Sequence, residues 1–211
     1  FLREAVRVAP GMPTLRHDLG VVLHGKGDLA GARRQWQVAL RQDERSALTH
    51  LCLARSYARS GRQAAAVPHY EAALKWAPDA DAARIELAWI LATAPDADLR
   101  DGGRAVRLAR AVADGGAGRS VKALDVLAAA YAETGDFDRA VAVLDLALEL
   151  EQAGPDGGPG GTAPRSPVIA SRPGLTPEAL RKRRERYAAG VPYRMRPGAG
   201  GKTTDEAGPE P

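Results

Sequence analysis

The chain has one cysteine, Cys52, two methionines and no asparagine, and aromatic residues make up only 5% of it. A single thiol excludes an internal disulfide framework and any zinc site built from several cysteines. Scarce aromatics and few isoleucines leave little material for β-sheet. The Ala, Leu and Val that carry most of the 45% hydrophobic fraction suit close-packed helices instead. No apolar run approaches the roughly 18 residues needed to cross a bilayer. An all-α protein is expected.

Of the 30 basic residues 25 are Arg and 5 are Lys. Together with the missing Asn this is the mark of a GC-rich genome, so Arg abundance alone does not argue for nucleic acid. Residues 1–151 hold 20 basic and 20 acidic groups and residues 152–211 hold 10 and 6, so the last stretch supplies the whole formal charge of +4. The sequence opens in a helical pattern at Phe1, without an initiator Met or a signal-like start. Its true N-terminus is therefore expected to be missing, which leaves the compartment unread, with the cytoplasm as the default.

What is abundant is a repeat. "GDLAGARRQWQVALRQ", from Gly27, and "GRQAAAVPHYEAALKW", from Gly61, share Gly, Ala, a large aromatic, Ala and Leu in step. Gly27, Ala32, Trp36, Ala39 and Leu40 correspond to Gly61, Ala66, Tyr70, Ala73 and Leu74, each pair 34 residues apart. Upstream of each glycine a helical pattern places Leu19, Gly20 and Leu23 opposite Leu53, Ala54 and Tyr57. The unit is a helical hairpin. Small residues let two axes approach, large rings fill the space to the next hairpin, and Gly27 and Gly61 end the first helix.

Another copy, "LDVLAAAYAETGDFDRAVAVLDLAL", puts Ala128, Gly135 and Ala140 in register, with Leu144 where Trp36 and Tyr70 stand. Gly61 to Gly135 spans two periods plus six residues. The six fall in the intervening copy, whose Gly turn is replaced by a longer loop.

The expected organisation is a partial repeat over 1–10 and full repeats over 11–44, 45–79, 80–117 and 118–152, the third with its extended loop at 95–102. Gly- and Pro-rich composition makes 153–175 a flexible linker. A helix over 176–190 follows, with Thr176 as cap and Pro177 at its first position. Residues 191–211 are expected to be disordered.

This spacing resembles the tetratricopeptide repeat, a helix-turn-helix unit of 34 residues. The resemblance implies an α-solenoid, here followed by the linker and one C-terminal helix. Residues 80–194 also resemble a group of bacterial multi-repeat proteins. The matching residues are Leu87 to Asp96, Arg100 to Gly102, Ala123 to Glu133, and the ending Tyr187, Gly190, Pro192, Tyr193 and Arg194. That likeness implies a scaffold, often joined to other domains upstream, and no chemistry. The linker is richer in Gly and Pro than in those chains, which counts against tight docking of the terminal helix.

Catalytic, cofactor and metal motifs are not found. There is no GxxxxGK[ST] loop, no GxSxG elbow, no HExxH and no CxxCH. His17 and His24 lie on one helical face and would need Cys52 to seed a metal site, but no carboxylate or second Cys joins them at ligand spacing. Asp96 and Asp98 share a loop with Arg100, where capping and pinning is the simpler role. No small-molecule substrate is indicated.

By the resemblance, the first helix of each repeat lines an inner groove that takes a protein or peptide. His17, Val21 and His24 would line it in the first full repeat, Leu51, Cys52, Arg55 and Arg59 in the second, Ile85, Glu86 and Trp89 in the third, and Lys122 and Asp125 in the fourth. Repeat proteins that clamp the C-terminal carboxylate of heat-shock chaperones use Lys, Asn, Asn, Lys and Arg. Those positions fall on His17, Val21, Cys52, Ala82 and Glu86, so such a clamp is not expected. Trp89 is either an exposed anchor of the binding-hot-spot kind or core packed between hairpins. Arg55 and Arg59 pair an acidic partner or, on the simpler reading, are only solvated.

"RKRRER", Arg181 to Arg186, is the one dense basic run. A nucleic acid or anionic membrane contact is weighed against a solvated helix whose Leu180 and Tyr187 rest on the last hairpin, and the second is preferred because Glu178 and Glu185 dilute the charge. The function expected is a non-catalytic interaction scaffold. The alternative is the repeat arm of a larger enzyme, such as a glycosyltransferase or kinase, whose catalytic domain lies upstream. Oligomeric state is left open.

Overall fold

A computed structural model describes residues 2–115, 120–153 and 175–195. Ten α-helices occur among them: α1 (Leu2–Val8), α2 (Pro13–Gly25), α3 (Leu29–Gln42), α4 (Ala47–Arg59), α5 (Gln63–Trp76), α6 (Asp81–Thr93), α7 (Gly102–Ala113), α8 (Val121–Glu133), α9 (Phe137–Ala153) and α10 (Pro177–Ala188). A 3-10 turn, Ala97–Leu99, sits in the loop between α6 and α7. No strand occurs among the described residues. The linker expected at 153–175 lies almost wholly outside them, as does the tail beyond residue 195.

The helices begin where short polar side chains satisfy amides that have no partner inside the helix. Asp28 accepts from the Gly31 amide at 2.7 Å, Asp101 from Arg104 at 2.8 Å, Ser120 from Ala123 at 3.1 Å and Thr176 from Ala179 at 3.1 Å. Four helices end in one kind of turn. Gly27, Gly61, Gly135 and Gly190 have φ of 83°, 73°, 81° and 72°, the left-handed region a Cβ disfavours. The amide after each glycine reaches back to close the turn: Asp28 to the Leu23 carbonyl, Arg62 to Tyr57, Asp136 to Tyr131 and Val191 to Arg186, all at 2.9–3.0 Å. The third repeat, whose loop lacks such a glycine, uses Arg100 instead. Its guanidinium donates to the carbonyls of Ala94 and Pro95, the two residues that follow α6, at 3.0 and 3.1 Å.

The chain divides into two compact units between Ala83 and Arg84. In the first, α2 packs on α3, α4 on α5 and α3 on α4, around fully buried Trp36, Leu53 and Tyr70 with Ala32, Ala54, Ala66 and Ala73 between them. In the second, α7 packs on α8, α8 on α9 and α10 on α9, around Leu87, Val126, Ala128, Leu144, Leu180 and Tyr187. Each unit is thus a set of helical hairpins packed one on the next, the α-solenoid class the periodicity calls for.

The terminal helix rests on the last hairpin through the two residues the preferred reading named, with Leu180 1% and Tyr187 0% exposed and α10 packed on α9, so the Gly- and Pro-rich composition before it does not prevent docking. Residues 191–195 make contacts to α6 and α8.

Candidate interaction surfaces

In the first unit the candidate residues lie on α2 and α4. His17 Nδ1 is 2.9 Å from the Thr49 hydroxyl, a bond that ties α2 to α4. His24 is one turn further than Val21 along α2, and its ring lies 5.7 Å from that of Trp36. It is 5% exposed, and its Nε2 has no hydrogen-bond partner among the described residues. Burial, and the positive charges of Arg59 and Arg55, hold the His24 imidazole below its ordinary pKa. Arg55 and Arg59 therefore share one neighbourhood with His24. Arg55 is half-buried, Arg59 exposed, and neither makes an ion pair among the described residues.

Cys52 is buried on α4, and burial pushes its thiol up to about 11 against the opposing pull of Arg55. Such a thiol is neither a nucleophile nor a ready ligand at neutral pH. No group of three or more His, Cys, Asp or Glu gathers among the described residues at metal-binding distance.

The candidates of the second unit are engaged by their own chain. Glu86 pairs with Lys122 at 2.6 Å, joining α6 to α8, and Ile85 is buried. Asp125, fully buried on α8, pairs with Arg183 of α10 at 2.9 Å, and Arg183 is itself 5% exposed. The Arg183 guanidinium lies 5.8 Å from the centre of the Trp89 ring and 5.4 Å from that of Tyr193. These two rings are 5.6 Å apart, and Trp89 is 7% exposed.

Arg194 pairs with Glu133 at 2.6 Å, and the other oxygen of that carboxylate takes the Arg100 guanidinium at 3.1 Å. The Met195 amide donates to the Thr93 carbonyl at 2.8 Å. Of the two readings of Trp89, the structure shows the buried one, with Tyr193 and Arg183 beside the indole. Arg183, Tyr193 and Arg194 were visible beforehand only as part of a basic run and of the "PYR" ending. Nothing in local pattern says that a residue beyond a Gly- and Pro-rich stretch returns to α6 and α8.

The basic run is accordingly divided. Arg183 is buried, Arg184 is paired with Asp145 through two contacts, Lys182 pairs with Glu178 at 3.1 Å, and Arg181 and Arg186 are exposed.

Sequence profiles of the tetratricopeptide repeat match residues 13–37, 51–80 and 121–145, which cover α2 with much of α3, most of α4 with α5, and α8 with half of α9. No curated protein gives a significant match. The profile matches fall on the hairpins whose first helices end at Gly27, Gly61 and Gly135, so profile, turn and packing agree: the chain is a tetratricopeptide repeat protein.

Proposed function

We propose that the protein is a non-catalytic interaction scaffold that binds an acidic peptide segment on the α2–α4 surface of its first unit. Tetratricopeptide repeats as a class serve protein–protein interaction. The observation that carries the reading is the pair Arg55 and Arg59, two guanidiniums one turn apart on α4 with no carboxylate partner among the described residues. Beside them His24 keeps a buried ring nitrogen with no hydrogen-bond partner among the described residues, and Val21 and Leu51 are half-buried apolar residues on the same helices. A segment that alternates carboxylates with apolar side chains complements this set. Its carboxylates would be received by forked guanidiniums, which favour planar two-point pairing.

The test is fluorescence anisotropy with a labelled peptide of alternating Glu and Leu, beside the same peptide with Gln for Glu. Binding of the Glu form, lost with Arg55→Glu/Arg59→Glu at unchanged helical content, is the expected result. Equal binding of both peptides, or of the variant and the unmodified chain, would overturn the reading.

A further inference from the structure

We infer that the α6–α8 surface of the second unit is a receptor for an extended segment carrying an aromatic residue followed by arginine, and that the chain's own Tyr193–Arg194 occupies it in cis. The inference concerns a different surface from the acidic-peptide reading and does not depend on it.

Residues 191–195 have no regular structure, and three kinds of contact hold them, each of a type used in peptide recognition. The Tyr193 ring lies against Trp89 at a tilt of 36°, with the Arg183 guanidinium near both rings; a ring contact of this kind places an aromatic side chain at one defined position. Arg194 meets the Glu133 carboxylate at 2.6 Å, a charge-assisted contact that selects a cation at the next position. The Met195 amide bonds to the carbonyl of Thr93, in the last turn of α6, where a helix leaves its carbonyls without internal partners. That bond reads backbone rather than side chain, so any extended segment in the same register makes it.

The occupant also has a division of labour. α10 is anchored by fully buried apolar side chains, Leu180 and Tyr187, and by the buried Arg183–Asp125 pair. The segment after Gly190 meets α6 and α8 through an ion pair whose arginine is 33% exposed, the Tyr193–Trp89 ring contact and the Met195–Thr93 backbone bond, while Val191, Pro192 and Tyr193 also touch Arg186 and Arg183 of α10. Release of residues 191–195 therefore leaves the helical anchor and its core intact. It would uncover Trp89, Glu133 and the Thr93 carbonyl, a site complete enough to receive an equivalent aromatic–arginine pair from another chain. Tethering gives the cis segment a high effective concentration, so a competing peptide must be supplied at comparable concentration or the tether weakened.

The experiment uses the full chain and, as probe, a fluorescein-labelled, C-terminally amidated hexapeptide of sequence GVPYRM, which reproduces residues 190–195. The Tyr193→Ala/Arg194→Ala chain should bind the probe at least about tenfold more tightly than the unmodified chain, because the competing tethered segment is weakened. The same hexapeptide with Ala-Gln in place of Tyr-Arg should not bind. No gain in the double variant, or equal binding of the altered peptide, would overturn the inference.

Hydrogen exchange of the unmodified chain gives a second measurement that needs no variant to fold. A millimolar excess of GVPYRM should accelerate exchange at the Met195 amide while the α10 amides stay protected. Met195 exchange that does not respond would overturn the inference equally.

Discussion

At the scale of single residues, the repeats compensate size for size. A Cβ on Gly20 would meet Cδ1 of the Trp36 indole at 2.7 Å, and that indole is fully buried, with its N–H bonded to the His17 carbonyl at 3.1 Å. One period on, the counterparts are Ala54 and Tyr70, and in the fourth repeat Ala128 and Leu144, all 0% exposed. Where the large partner shrinks, the small one gains its methyl. Gly20→Ala should therefore destabilise by about 1–3 kcal/mol through overpacking, despite a gain of up to about 1 kcal/mol in helix propensity. Trp36→Tyr in the same chain should recover part of the loss by recreating the Ala54–Tyr70 pair. Urea unfolding of the two single variants and the double measures both effects, and strictly additive losses would refute the compensation.

The histidines give a second expectation at this scale. His17 and His69 are held below the ordinary value of 6.5 mainly by burial, as is His24, where Arg59 and Arg55 add to it. Their folded pKa values are depressed, so below about 6.5 the unfolded chain takes up protons that the folded chain resists. Stability attributable to them is full above that pH and falls as pH drops through it. The urea midpoint should be lower at pH 5.5 than at pH 7.5, and His69→Phe should reduce the difference if His69, which stacks on Tyr57 at 5.7 Å, is a contributor.

At the scale of elements, α10 is set by one buried charge pair and two apolar anchors. Removing one partner of a buried pair leaves an uncompensated charge, which costs about 3–5 kcal/mol. Asp125→Ala is therefore expected to loosen α10 by an amount of that order, whereas Asp125→Leu combined with Arg183→Met should recover much of it. Thermal unfolding checks the order of the three chains, and a double variant as weak as the single would show that the pair is not what matters.

The same element marks what local pattern could reveal. Hairpins, glycine turns and the buried Trp36, Tyr70 and Leu144 were legible because periodicity and turn chemistry are local and recur every 34 residues. That Leu180 and Tyr187 rest on the last hairpin was legible from their apolar spacing, but the burial of Arg183 against Asp125 and the return of residues 191–195 to α8 and α6 were not, because these pairs are distant in sequence. For the same reason Trp89 and Asp125 stood out as groove residues by position alone while Tyr193 and Arg183 did not, and Glu86 and Lys122 both stood out without the ion pair between them being foreseen.

At the scale of the whole molecule, charge is what separates a scaffold from a polyanion binder. Residues 152–211 supply the entire net charge of +4, which at first sight suits nucleic acid or an anionic surface. Yet Arg183, Arg184, Lys182 and Arg194 each face a carboxylate within the chain, and Arg183 is buried. Phosphate contacts release counterions in proportion to the cations free to make them, so a run whose members are already paired makes few. Retention on heparin should consequently be weak at roughly 50 mM salt and change little by roughly 200 mM, the range over which a many-contact binder loses affinity steeply. Arg181→Glu/Arg186→Glu, which reverses the two exposed members of the run, should shift elution only slightly. Strong retention at low salt that collapses by the higher salt, and that this double variant abolishes, would instead assign the helix to a polyanion.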